Sequence, residues 1–155
     1  MDKRTKTKLF LDSGNPNETQ KALDLLGSLD GQTTNPSLVA QNPELSEKIK
    51  NGNHLSESEL LGEYKKIINE IKEIIPNGSI SIEVYADHDT KSEEMIKQAL
   101  EFNTWIDNAH IKLPTNHEGL IAATELTNSG VNLNMTLCFS QQQAAAVYSA
   151  TKNAS

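Results

Sequence analysis

The chain has 155 residues, 36% of them hydrophobic, which suits one globular domain over residues 1–155 with a buried core. Its net charge of −7 and pI near 5.1 exclude the usual nucleic-acid and anionic-membrane surfaces, which need clustered positive charge to displace counterions. No apolar run of about 18 residues occurs, and the N-terminus lacks the apolar stretch of a signal peptide, so no membrane partner and a cytoplasmic location are expected.

The basic start, residues 1–8, reads as a solvated tail. "KLFLDS" is the first strand, and Asn15-Pro16-Asn17-Glu18 opens a helix with an amide cap, a proline at the first position and a carboxylate in the first turn. That helix is expected through Ala22, Leu25 and Leu26 to about Ser28. "GQTTN" is a second, poorer strand, and Pro36 starts a short helix. Residues 41–55 are polar and turn-rich and read as an irregular connection. Ser56 to Glu59 is a capping box before a long helix whose apolar stripe runs Leu60, Leu61, Tyr64, Ile67, Ile68, Ile71, Ile74 and Ile75, stopped by Pro76. "SISIEVYA" is the third strand, and a capping box at Thr90 to Glu93 opens the next helix. "AHIKLP" is the fourth strand, Thr115 to Glu118 a third capping box, "VNLNMTLCF" the fifth strand, and "SQQQAAAVYSATKNA" a terminal helix. Strands alternating with helices imply βα units and a parallel sheet.

In such folds function collects where strands run out into helices. Asp12, Asn35, Glu83, Lys112, Asn134 and Thr136 all fall in or at the ends of strands. Each has a plain structural reading: Asp12 and Asn35 as helix caps, Asn134 and Thr136 as a turn, Glu83 as a solvated strand face. Six together point to a site. Lys112 carries the sharpest chemistry, because it stands in an apolar run that ends at Pro114. Burial disfavours a charged ammonium, and a neutral amine attacks a ketone carbon to form a Schiff base. The iminium draws electrons, so the bond two carbons away breaks and the carbanion is held as an enamine. This is class I aldolase chemistry, and it uses no metal and no organic cofactor. It does use proton-transfer groups, for which Asp12 and Glu83 are the available carboxylates. The structural alternative is that Lys112 snorkels to solvent or simply pairs with Glu83.

"FLDSGN", "DGQTTNPSL", "SIEV", "IKLP" followed by "EGL", and "VNLNMTLCFS" followed by "QA" resemble, in that order, the transaldolase and fructose-6-phosphate aldolase family over most of residues 9–148. The resemblance implies an eight-stranded α/β barrel with the Schiff-base lysine on its fourth strand, at Lys112. This chain would supply about five parallel strands with their helices, a partial TIM barrel lacking the last three βα units. By the same resemblance Asp12 is the acid/base for carbon–carbon cleavage, Glu83 and Thr136 hold the water of imine chemistry, and Asn35 and Asn134 bind substrate hydroxyls. Glu83, where the aldolase branch usually has glutamine, favours a transaldolase moving a dihydroxyacetone unit between sugar phosphates such as sedoheptulose 7-phosphate and fructose 6-phosphate, in the pentose phosphate pathway. The alternatives are a fructose-6-phosphate aldolase-type enzyme and a catalytically inactive barrel fragment.

Two departures stand out. Asn116 occupies the fifth place of the lysine motif, where the family commonly has threonine, with Thr115 one residue early. The chain's only arginine is Arg4, whereas the family's later strands bring a serine and arginines to the substrate phosphate. Five strands would also leave two sheet edges with unpaired backbone groups, so a homo-oligomer formed through exposed edges is expected. Among the other residues, His54, His88, His110 and His117 are too scattered for metal ligands, and Asp87-His88-Asp89 reads as a solvated loop. Phe102 and Trp105 read as core, and Cys138, between Leu137 and Phe139, as a buried thiol.

Overall fold

The computed structural model describes residues 7–43, 45, 46 and 56–152. Most of the expected basic tail and of the 41–55 connection, His54 included, lies outside them. Five strands form one parallel sheet in the order β1-β2-β3-β4-β5, with β1 and β5 at its two ends, so the sheet is not closed. Sequential order with helices between strands is the α/β pattern expected. The chain divides between Ile80 and Ser81 into two compact units, and β3 crosses the division.

The first unit holds β1 (Phe10–Asp12), α1 (Pro16–Leu26), β2 (Gly31–Thr33), α2 (Pro36–Ala40), α3 (Glu57–Ile74) and the start of β3 (Ser79–Glu83). β1 and β2 pair in parallel with Asp12 opposite Thr33. Asn15 caps α1 by accepting from Asn17 N, and Pro16 sits in its first turn. The helix ends at Leu26 because Gly27 turns left-handed at φ 74° and its N–H closes on Leu23 O. Its two terminal leucines are not buried: Leu25 and Leu26 are 84% and 56% exposed. What α1 buries is Thr19, whose hydroxyl donates to Gln32 Oε1 at 2.7 Å, while Gln32 Nε2 donates to Ser13 O at 2.7 Å. This polar chain ties α1 to β2 and to the exit of β1, with its buried groups satisfied. The capping box at Ser56 and Glu59 forms, and α3 buries Tyr64, Ile67, Ile68 and Ile71, each large side chain contributing about 1.5–3 kcal/mol.

The second unit holds the rest of β3, then α4 (Ser92–Phe102), β4 (Ala109–Pro114), α5 (His117–Asn128), β5 (Leu133–Thr136) and α6 (Gln141–Thr151). Its core is Ile82, Val84, Met95, Phe102, Ile111, Leu113 and Leu126, with Trp105 packed on Phe102 at 4.2 Å between ring centroids. Two expected capping boxes are replaced. The Thr90 hydroxyl is taken by Asp87 Oδ1 at 2.7 Å, so Lys91 becomes the N-cap of α4 and makes no side-chain cap bond. The Glu118 carboxylate accepts from Ser92 N instead, and the cap of α5 is Asn116 rather than Thr115. The fifth strand is also shorter than expected. Leu137 takes φ 61°, which ends β5 at Thr136 and turns Cys138 outward, so the thiol is exposed rather than buried. Among the described residues no helix is long and apolar enough to cross a membrane.

Candidate active site

Lys112 lies in β4, where every residue but His110 is buried, and keeps only 9% of its surface exposed. Its Nζ stands 3.2 Å from Glu83 Oε2. Such a pair differs from an exposed ion pair, because removing one partner leaves a charge in a poorly solvated place. β3 is held beside β4 by Val84 N donating to Lys112 O at 3.2 Å. On the other side Asn134 is the register partner of Lys112 across β4 and β5, so their side chains share a sheet face. Asn134 Nδ2 donates to Ser81 Oγ at 2.9 Å. Thr136 follows Asn134 on that face by the period of two, and its carbonyl accepts from both Thr115 N and Thr115 Oγ1, at 2.8 and 2.7 Å. The second unit thus gathers a buried amine, a carboxylate in proton-transfer reach, an amide and a hydroxyl residue on the face formed by β3, β4 and β5.

Asp12 and Asn35 belong to the first unit. Asp12 is exposed at the end of β1 and accepts from Thr33 Oγ1 at 2.7 Å. Asn35 is the N-cap of α2, its Oδ1 accepting from Leu38 N at 2.8 Å. Both stand where strands leave the sheet, as the strand-end pattern implied.

The departure in the lysine motif has a local explanation. Asn116 caps α5 by accepting from Gly119 N at 2.7 Å, and Thr115 ties the end of β4 to β5 through Thr136 O. Beyond β3, the exposed Asp87 carboxyl is held low, to about 2, by the Thr90 hydroxyl first, then the Asp89 N–H and the Tyr85 hydroxyl. That network rigidifies the turn into α4. One residue of the cluster escaped the sequence reading, namely Ser81. Its signal was present: it stands two residues before Glu83 in "SIEV", on the same face by strand alternation.

A model of the transaldolase/fructose-6-phosphate aldolase family matches residues 9–155. The chain belongs to this family. Probable transaldolases of Dehalococcoides mccartyi, Thermoplasma volcanium and Brucella ovis are 37%, 36% and 39% identical to it over 137 residues. Each alignment covers 88% of this chain but 54%, 52% and 52% of the relative, so the chain spans about half the length of the curated relatives it matches. Its α/β sheet agrees with the family fold that the sequence resemblance implied.

Proposed function

We propose that the chain performs Schiff-base aldolase chemistry of the transaldolase type, moving a dihydroxyacetone unit between sugar phosphates such as sedoheptulose 7-phosphate and fructose 6-phosphate in the cytoplasmic pentose phosphate pathway. The observation that carries this reading is the buried Lys112 with Glu83 Oε2 at 3.2 Å and Asn134 opposite it. Lys112 Nζ gives up a proton to Glu83 as its lone pair attacks the ketose carbonyl carbon. The carbinolamine then loses water, with Glu83 returning the proton and Thr136 helping to hold the leaving water, and the iminium remains. Asp12 takes the proton of the hydroxyl on the cleaved carbon. That carbon leaves as an aldehyde, and the bonding pair passes into the enamine, whose hydroxyls Asn35 and Asn134 hold. Addition of the enamine to a second aldehyde, then hydrolysis, completes the transfer. Sugar phosphate is the proposed partner, and no cofactor takes part.

Glu83 at the position where the aldolase branch has glutamine favours transfer over simple cleavage. The distinguishing experiment is turnover of fructose 6-phosphate with and without a four-carbon aldose phosphate, the fragment left when sedoheptulose 7-phosphate loses a dihydroxyacetone unit. Acceptor-dependent formation of the seven-carbon ketose supports transfer. Release of free dihydroxyacetone at the same rate without acceptor supports the aldolase.

We also propose that the chain self-associates through the β5 end of the sheet. β5 pairs only with β4 among the described residues, its four residues are all partly exposed, and α6 buries none of its residues. Leu137, Phe139 and Tyr148 stand 55%, 84% and 73% exposed there. An edge strand with apolar neighbours is a template for pairing.

A further inference from the structure

Ser81 has no task in the chemistry above, yet it is 1% exposed, lies on the face of Glu83, and accepts the Asn134 amide at 2.9 Å. The strand order makes that bond unusual. Ser81 is in β3 and Asn134 in β5, with β4 between them, so the two side chains meet above β4. Strands two apart are separated by roughly 9.5 Å, too far for a chance contact between two short side chains that did not lean toward one another. The face of β4 they lean across is the one that carries Lys112, the register partner of Asn134.

An asparagine amide has two N–H donors and one acceptor oxygen. With one donor given to Ser81, the rotation of the amide is fixed, and Oδ1 and the second N–H are left for another partner. We propose that Ser81 is a positioning residue for the Lys112 site: its hydroxyl sets the Asn134 amide in advance so that a donor ketose hydroxyl is received in one orientation beside Nζ. A pre-set amide needs no reordering when the ketose arrives, so the benefit appears in donor affinity and in the rate of imine formation. This role rests on the Schiff-base reading of Lys112 and adds a residue to it.

The test is borohydride trapping on the 155-residue chain with fructose 6-phosphate, read by mass spectrometry as the donor concentration giving half-maximal adduct, for Ser81→Ala, Ser81→Thr, Asn134→Ala and the Ser81→Ala/Asn134→Ala pair. A lost neutral hydrogen bond predicts a rise of about two- to tenfold in that concentration for Ser81→Ala. Ser81→Thr, which keeps the hydroxyl, should restore most of it. In the Asn134→Ala background Ser81→Ala should add nothing, because Ser81 acts through Asn134. The side-chain amide resonances of Asn134 should broaden or shift in Ser81→Ala alone. An adduct formed equally well by Ser81→Ala, or an equal loss in both backgrounds, overturns the positioning role and leaves the aldolase reading standing. No adduct at Lys112 in the unsubstituted chain overturns the aldolase reading and this role with it.

Discussion

Lys112 and Glu83 form an ion pair at 3.2 Å whose side chains are only 11% and 20% exposed. At that burial the pair is both a stability element and a candidate proton couple. Glu83→Gln removes the carboxylate from a poorly solvated ammonium, so unfolding free energy should fall by about 3–5 kcal/mol. Lys112→Met together with Glu83→Gln should recover much of that loss, because no buried charge remains. Chemical denaturation of the single and double variants measures it. Equal stability of Glu83→Gln and the unsubstituted chain would mean that the pair is screened by water.

Glu118 ties two helices together, its carboxylate accepting from Ser92 N at 3.0 Å from the first turn of α5. That bond holds the carboxyl below its usual value of 4.5. A depressed folded-state value contributes stability that is present above the unfolded value and lost as pH falls through the folded one. The melting temperature should therefore drop as pH is lowered below about 4.5, and Glu118→Gln should show a smaller drop over the same range. Asp87, lowered from 3.8 to about 2, adds a second loss at still lower pH, which Asp87→Asn should remove. Thermal melts from pH 6 to pH 2 decide it, and an identical acid slope in both variants would contradict the assignment.

Two glycines should respond in opposite directions to alanine. At Gly119 an added Cβ would collide with the Pro114 carbonyl, where β4 turns into α5 just beyond Lys112. Gly119→Ala should cost about 1–3 kcal/mol. Gly62, inside α3, has nothing within 4 Å of the added atom, so Gly62→Ala should stabilise by about 0.5–1 kcal/mol through helix propensity. Denaturant midpoints measured side by side check the signs.

Self-association through β5 and α6 should appear as a mass that rises with protein concentration in light scattering. Phe139→Asp with Tyr148→Ser should lower it, since these residues are 84% and 73% exposed and their replacement removes little packing within the folded chain. A monomer at every concentration would contradict the proposed interface.

What the sequence revealed divides along physical lines. Signals that act within a few residues were legible: the Asn15 cap with Pro16, the capping box of Ser56 and Glu59, and the halt of α3 before Pro76. Signals that depend on what a residue meets in space were not. Glu118 has the spacing of a capping box with Thr115, but a more distant donor, Ser92 N, took its carboxylate. Leu25 and Leu26 have the pattern of a buried face and are exposed, and Cys138 follows a β strand that had already ended at Thr136. In the candidate site, strand alternation is legible from the sequence and puts Asn134 on one face with Thr136, and Lys112 on one face with His110. Pairing across strands, which joins Lys112 to Asn134 and Asn134 to Ser81, needs the register, and the register is not written in any one strand.

The most direct test of the account is to incubate the chain with fructose 6-phosphate, reduce with borohydride, and map the modified residue by peptide mass spectrometry. One adduct is expected, on Lys112, absent from Lys112→Ala and formed about two to four orders of magnitude more slowly in Glu83→Gln, the usual range for a proton-transfer group. An adduct on any other lysine, or one that persists in Lys112→Ala, would contradict it.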